Sequence, residues 1–466
     1  LDKSIVWIHR ETTRCTCASR MTARHSSLFT LGPGQSDLSI YTSQRDAAAI
    51  APSCASENSS SWIPRWFGMT RPSRIQLLIF ESHPIQYRAP VYARLEQLCP
   101  GSIYVCYASD YSIRGGKDPG FGESVCWDGD LLAGYPSTVL RNDLNAAPQG
   151  WGQLDGRGIA PLIDRLQPRA ILLNSLNYRF SLAAYGHAVV RAIPVWIRAE
   201  TQDQAFARSR LKSALRYLYY RFLYTGIQQA FPIGQLNRQH WLKHGLSPKQ
   251  LRHHAHYCTV DRASVLSEND RHRKRDIIRD QIGLASDQVV VAFFGKFTAK
   301  KNPDLLFQAL PLMHETLSRR ISFLFVGSGE LHHALEQQAR FAKQQHNVST
   351  HFPGFVNQSA LVDWYLAADV VVLPSRQAGE TWGLVANEAI QAGCSVIVSD
   401  AVGCATDFGS WERVRTIPVG SAAALAAAIQ DLAAFPRSFS WAADLLKQYS
   451  IEAAAQGLAG AIAELP

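Results

Sequence analysis

From Arg74 onward the apolar positions fall into short continuous runs, not alternating ones, and each run ends in a polar or glycine-bearing loop. The first half carries Ile75–Phe80 (IQLLIF), Ser102–Tyr107, Ala170–Leu173 and Pro194–Arg198. The second carries Val289–Gly295 (VVVAFFG), Ile321–Gly327 (ISFLFVG), Val370–Pro374 and Ser395–Ser399 (SVIVS). Runs of this length without a period of two predict strands buried on both faces, as in a parallel sheet. Between them a helical period predicts helices over Ala89–Gln97, Pro303–Leu317, Leu331–His346, Ser359–Ala367, Leu384–Ala392 and Ala422–Leu432. Strand and helix in alternation predict an α/β fold. A charged stretch over residues 261–276, with nine charged side chains, separates two such series. Two doubly wound units are therefore expected, with ligands beyond the carboxyl ends of their strands and a cleft between them.

Residues 1–73 break this pattern. Leu31–Ser36 (LGPGQS) and Ser53–Ser61 (SCASENSSS) are turn-rich and polar, which predicts an unstructured leader. No apolar core of signal-peptide length follows its first basic residues, and Asp2, Glu11, Asp37 and Asp46 count against a transit peptide. The leucine start, with Met69 just ahead of the first good strand, favours a stretch outside the native coding region. The expected layout is then a leader (1–73), an N-terminal Rossmann-like acceptor domain (74–265), a linker with a boundary helix (266–286) and a C-terminal Rossmann-like donor domain (287–466). The last helix is a candidate to pack back on the N-terminal domain.

Composition narrows the setting. The chain has 466 residues, 47% hydrophobic and 18% charged, ordinary for a globular protein and too apolar for whole-chain disorder. No apolar stretch reaches the 18 residues that a membrane span needs. Nine scattered cysteines without a CxxC pair disfavour a disulfide framework or a zinc site and predict a reducing, cytoplasmic location. The net charge of +9 fits a phosphate-bearing ligand, an anionic membrane or another polyanion without choosing among them.

The chemistry concentrates in four loops that follow strands of the second series: Gly295–Asn302 (GKFTAKKN), Gly327–Glu330 (GSGE), Phe352–Val356 (FPGFV) and Ser375–Gly393 (SRQAGETWGLVANEAIQAG). In the last, a helix is predicted to begin near Gly383. The N–H groups of Gly383, Leu384 and Val385 would then lack helical acceptors and form an anion site. Glu388 falls three to four residues further on, on the face of those amides, and a carboxylate there suits a vicinal diol such as ribose. Lys296 and Lys301 supply charge for a diphosphate, each ion pair at ~4 Å being worth about 4 kcal/mol before desolvation. With Glu380 as a further carboxylate, the set describes a nucleotide-sugar site.

The segments GKFTAKKNP, FLFVGSGE, FPGFV, WYLAADVVVLPS, ETWGLVANEAIQAG and IPVG closely resemble the C-terminal domain of retaining glycosyltransferases of family 4, the glycosyl transferases group 1 with the GT-B fold. SHPIQYRAPVY, DPGFG and WDGDLLAGY resemble the first domain of a subgroup. The resemblance implies two Rossmann-like domains and metal-independent transfer of a sugar from a nucleotide-diphosphate sugar, with retention, in polysaccharide or glycolipid synthesis. By the same resemblance Lys296 and Lys301 would hold the diphosphate, with Gly295 in the turn beside them. Glu388 would bind the ribose, Glu380 the transferred sugar, and the Phe355–Val356 backbone would face the base. Two departures stand out: Lys296 where the family usually has Arg, and the loop Asn174–Tyr178 (NSLNY), without the His that many members place there. His83 is the candidate to stand near the sugar instead.

The other features have competing readings. Arg198 and Glu200 either face the cleft or pair with each other. Asp118 in DPGFG either caps a turn or touches acceptor, the turn being preferred. The Asp128–Asp130 DGD is read as a turn and not a metal site, because no apolar strand precedes it. GSGE lacks the third glycine of a dinucleotide fingerprint. Phe206–Tyr224 mixes five basic residues with Leu and Tyr; it either lies on an anionic bilayer or packs its apolar stripe on the sheet. The expected partners are thus a nucleotide-sugar donor, a saccharide or lipid-linked acceptor and an anionic membrane at the inner face, with no cofactor, no metal and no nucleic acid. A catalytically silent nucleotide-sugar-binding protein and a GT-B sugar epimerase are the alternatives.

Overall fold

The computed structural model describes residues 74–115, 129–142, 150–252, 256–285 and 287–466. The expected leader, Asp118 and Asp128 lie outside these residues.

The first sheet contains β1 (Leu77–Glu81), β2 (Ile103–Ser109), β3 (Ser137–Arg141), β4 (Ala170–Leu173), β5 (Val195–Ile197) and β6 (Ile227–Ala230). All pairs are parallel, in the order β3-β2-β1-β4-β5-β6. The second holds β7 (Val289–Phe294), β8 (Ile321–Val326), β9 (Ser349–Gly354), β10 (Val370–Leu373), β11 (Ser395–Ser399) and β12 (Val414–Ile417). It is also all parallel, ordered β12-β11-β10-β7-β8-β9. Each sheet therefore repeats one winding, with a switch point between β1 and β4 and another between β7 and β10. A crevice forms beyond the strand ends at such points.

Helices cover both faces. In the first half they are α1 (Ala89–Leu98), α2 (Ile159–Leu166), α3 (Arg179–Val190), α4 (Arg210–Leu223), α5 (Gln235–Lys243) and α6 (Glu268–Gln281). The second half has α7 (Leu305–Ala309), α8 (Glu315–Ser318), α9 (His332–His346), α10 (Gln358–Ala367), α11 (Leu384–Gln391), α12 (Ala405–Phe408), α13 (Ala422–Leu432), α14 (Ala443–Leu446) and α15 (Ile451–Ala463). β1 (LLIFE) and β10 (VVVL) are buried at every position, which is why they read as unbroken apolar runs.

Two details differ from the sequence reading. The helix expected over Pro303–Leu317 is broken into α7, a 3-10 turn at Leu310–Leu312 and α8, because Pro311 has no N–H to continue the ladder. Phe352–Gly354, expected in a loop, close β9, leaving Phe355 and Val356 beyond its end. Residues 266–286 hold α6, which packs along α10. There Arg275 bonds the terminal carbonyls of Leu366 and Ala367 and pairs with Asp369 at 2.6 Å, placing a cation at the negative end of α10. The last helix, α15, buries Ala454, Ala455 and Leu458 in one apolar core with Leu77, Tyr92 and Leu95 of the first domain.

Candidate active site

Loops from the carboxyl ends of both sheets enclose one cavity of about 1130 Å³. The second sheet contributes the turns after β7, β8 and β10 and the Phe355–Val356 segment; the first contributes the loops after β1, β2, β4 and β5. All of the sequence-selected residues line it: His83, Gly295, Lys296, Lys301, Phe355, Val356, Glu380, Gly383, Leu384, Val385 and Glu388.

The start of α11 explains one wall. Gly383 caps the helix at φ +101°, and a Cβ there would lie 2.7 Å from Val402 Cγ1 and 2.8 Å from Leu373 Cδ2, so only glycine fits. The first amides of α11 therefore face the cavity with no carbonyl one turn earlier to accept them, at the positive end of the helix. Gly327 plays the matching part in the neighbouring turn. Its φ is +141°, and a Cβ would collide with Gly295 O at 2.0 Å, so the turns after β7 and β8 pack backbone to backbone.

The charged groups on this wall are already paired. Lys301 Nζ meets Glu380 Oε2 at 2.6 Å, and Ser375 Oγ donates to the same oxygen at 3.3 Å. Burial pushes the Glu380 carboxyl up, but Lys301 and then Lys300 outweigh it and hold it below the usual range. Lys300 donates to Gly379 O at 3.0 Å, and Arg376 grips Asn302 Oδ1 at 2.6 Å, so the two loops lock together. Glu388 accepts from Tyr365 OH at 2.8 Å, and the Tyr365 ring stacks on Phe294 at 3.8 Å. Burial dominates here, and the Glu388 carboxyl rises to about 7 despite Tyr365 and Arg262.

His83 stands on the opposite wall. It bonds Ser82 Oγ at 2.9 Å through Nδ1 and Tyr111 OH at 3.2 Å through Nε2. Burial, aided by Arg88, lowers its pKa to about 3, so the ring is neutral at physiological pH and does not act as a cationic acid. Asn174, at the head of the histidine-free loop, is 2% exposed and lines the cavity, with both carboxamide atoms lacking a hydrogen-bond partner. A bound hydroxyl, which donates and accepts at once, would satisfy both atoms.

The sequence reading missed the ion-pair centre of this wall. Arg88 joins Glu81 at 2.8 Å and Glu200 at 2.6 Å. Glu200 also accepts from Tyr87 OH at 2.9 Å, from Tyr257 OH, and from Thr381 Oγ1 of the second domain at 3.0 Å. Burial raises the Glu200 carboxyl, but Arg88 and the hydroxyls hold it below the usual range. The ion pair of Glu200 is therefore with Arg88, while Arg198, 1% exposed, donates to His256 O and lies over the Tyr257 ring. The available signal was a carboxylate, Glu81, ending an otherwise apolar strand.

The segment after β5 then crosses to the Glu380 loop. Gly379 N–H donates to Ala205 O at 2.7 Å, Phe206 pairs antiparallel with Ala378, and Gln377 reaches Gln204 O. Asp203 anchors this strap. It accepts from His240 Nδ1 at 2.8 Å, Lys243 at 3.0 Å and His244 at 3.2 Å, with Arg216 3.5 Å away. Among the described residues, Asp203, His240 and His244 are the group whose spacing would admit a metal ion. The Arg216 and Lys243 cations on the same carboxylate oppose a divalent ion and already saturate its oxygens. Asp130 Oδ1 accepts from Leu132 N–H at 3.0 Å, a turn contact.

Residues 274–438, which contain both lysines and both glutamates, match the family model described as glycosyl transferases group 1. The chain is 36% identical over 125 residues to an uncharacterized glycosyltransferase of Methanocaldococcus jannaschii, covering 27% of this chain and 30% of that one. It is 37% identical over 142 residues to D-inositol 3-phosphate glycosyltransferase 1 of Catenulispora acidiphila, covering 28% and 32%. The chain thus spans about a third of the length of these curated relatives. The crystal structure of Anabaena HepE in complex with UDP and glucose superposes with a TM-score of 0.58 at 15% identity, covering 84% of this chain and all of that one. This likeness shows the fold, two Rossmann-like domains in the GT-B arrangement.

Proposed function

We propose that this chain, whose second domain is a glycosyl transferases group 1 domain, transfers a sugar from a nucleotide-diphosphate sugar to an acceptor hydroxyl with retention, as members of family 4 do. One observation carries the reading: Lys296, Lys301, Glu380, Glu388 and the first amides of α11 surround one cavity. In this reading the diphosphate lies against Lys296, Lys301 and the positive end of α11. An ammonium has three donors, so Lys301 can keep Glu380 while taking a phosphate oxygen. Glu380 and Asn174 take sugar hydroxyls, Glu388 takes the ribose diol, and the Phe355–Val356 backbone faces the base. The acceptor enters from the first-domain wall beside neutral His83. As the bond from the anomeric carbon to the phosphate oxygen breaks, the acceptor oxygen bonds that carbon, and its proton passes to the leaving phosphate. The resemblance to family 4 extends the proposal to polysaccharide or glycolipid synthesis, and the five described free thiols suit a cytoplasmic setting.

Fixed cations stand where a metal would otherwise neutralise the diphosphate, so the reaction needs none. Nucleotide release from candidate nucleotide sugars, UDP-sugars first, is expected to be unchanged by EDTA; its loss would overturn the metal-free mechanism. Nucleotide binding without turnover on any acceptor would favour the silent binding protein. Donor affinity should depend on pH through Glu388. With a carboxyl at about 7, the ionised fraction rises from roughly a tenth at pH 6 to roughly nine-tenths at pH 8. The diol needs the ionised form as acceptor, so calorimetric affinity for the nucleotide is expected to tighten about tenfold over that range. Glu388→Gln should flatten the profile, and an equally steep variant would remove Glu388 from the site.

A further inference from the structure

The apolar stripe of α4 does not pack on the sheet. Leu211 is 70% exposed, Leu215 60%, Leu218 63% and Phe222 75%, whereas Tyr220 and Leu223 of the same helix are buried. At 100° per residue the four exposed side chains fall within an arc of about 60°. Tyr220 lies opposite the stripe at about 180° and Leu223 at about +120°, next to the Lys212 margin. Arg210 and Arg221 flank the stripe at about −90° and Lys212 at about +100°, all three exposed. From Phe206 to Tyr224 there are five basic residues and no acidic one. The first turn thus shows the apolar ridge between Arg210 and Lys212, and the last turn carries Arg221 along one side of it, with the protein core behind the helix. Among the described residues no helix is long and apolar enough to cross a membrane.

We infer that α4 is a docking surface for an anionic phospholipid bilayer, lying flat in the interface with its leucines and Phe222 among the acyl chains and its basic margins at the headgroups. Charge decides for this occupant: a second copy of the same chain would bring the three exposed basic residues Arg210, Lys212 and Arg221 against the same three, whereas anionic headgroups neutralise them. The inner face of the helix adds a consequence. Arg216 and Tyr220, and Arg208 just before the helix, line the catalytic cavity. A bilayer seated on the outer face would therefore lie one helix width, about 10 Å, from the acceptor wall. This deepens the proposed function by making the acceptor lipid-linked, and rests on it for that step alone.

The test is flotation of the full chain with vesicles of phosphatidylcholine alone or mixed with phosphatidylglycerol, read without turnover. The protein is expected to float with the anionic vesicles and not with phosphatidylcholine alone. Leu215→Glu/Phe222→Glu should lower the partition coefficient more than tenfold, and Arg210→Gln and Lys212→Gln about fivefold each. Both sets lie outside the cavity wall, so nucleotide affinity in vesicle-free solution should stay unchanged. Failure to float, or unchanged flotation of Leu215→Glu/Phe222→Glu, overturns the inference. So does light scattering that shows a dimer which that double variant dissociates. Vesicle binding with no transfer to any acceptor would leave the docking surface standing and defeat the transfer reading.

Discussion

Replacing Lys301 by Ala is expected to lower turnover by about 100- to 1000-fold, the cost of removing one preorganised group from a developing negative charge. Two effects act in the same direction. The leaving diphosphate loses a cation, and Glu380 loses the partner at 2.6 Å that does most to keep its buried carboxylate ionised. The second effect makes the two residues non-additive. In Lys301→Ala/Glu380→Gln no unpaired carboxylate remains, so the double variant should be less impaired than the product of the single losses. Initial rates of nucleotide release at saturating donor measure this. A Lys301→Ala rate within a few-fold of the parent would remove Lys301 from the reaction and the Glu380 pair with it.

Arg88→Met should cost the fold about 3–5 kcal/mol, the range for breaking one side of a buried ion pair. Arg88 is 5% exposed and Glu81 2%, and the methionine takes from Glu81 and Glu200 the guanidinium that both carboxylates share. Burial already raises the Glu81 carboxyl against the pull of Arg88 and Tyr92, so the variant raises it further. The sign follows. A carboxyl whose folded pKa lies above its unfolded value costs the fold stability increasingly as pH rises from the unfolded to the folded pKa, in full above the folded pKa, and not at all once pH falls below the unfolded one. Urea unfolding should therefore show a larger loss at about pH 8 than at about pH 5. Equal losses at both would mean that the damage is steric, not electrostatic.

How much of the fold was legible depended on the place of each strand in its sheet. β1, β4, β7, β8, β10 and β11 are buried along their whole length and appear in the sequence as apolar runs. β3, β6, β9 and β12 leave no such run, and these four are the edge strands of the two sheets. An edge strand faces solvent on one side and mixes polar with apolar residues, as in VRTI of β12, so no run marks it. α4 presented a different problem. It carries two apolar faces, one with Tyr220 and Leu223 and one with Leu211, Leu215, Leu218 and Phe222. Periodicity reports both and does not say which the sheet covers.

The site divides the same way. What lies within about ten residues was readable: a glycine turn bearing Lys296 and Lys301, and a helix start at Gly383 with Glu388 one turn on. Such features follow from strand ends and helix amides, which local sequence sets. Arg88 and Glu200 lie 112 residues apart. No local pattern links them, and only the winding of the first sheet brings the loops after β1 and β5 to one edge. The unpaired amide of Asn174, the strap from Ala205 to Gly379 and the exposed ridge of α4 arise in the same way. Two parallel α/β units and the second-domain side of the cavity were set by local sequence, because burial on both faces and helix termini leave a mark in neighbouring residues. The ion pairs, the first-domain wall of the cavity and the uncovered face of α4 came only with the folded chain, because each depends on which distant segments topology makes adjacent.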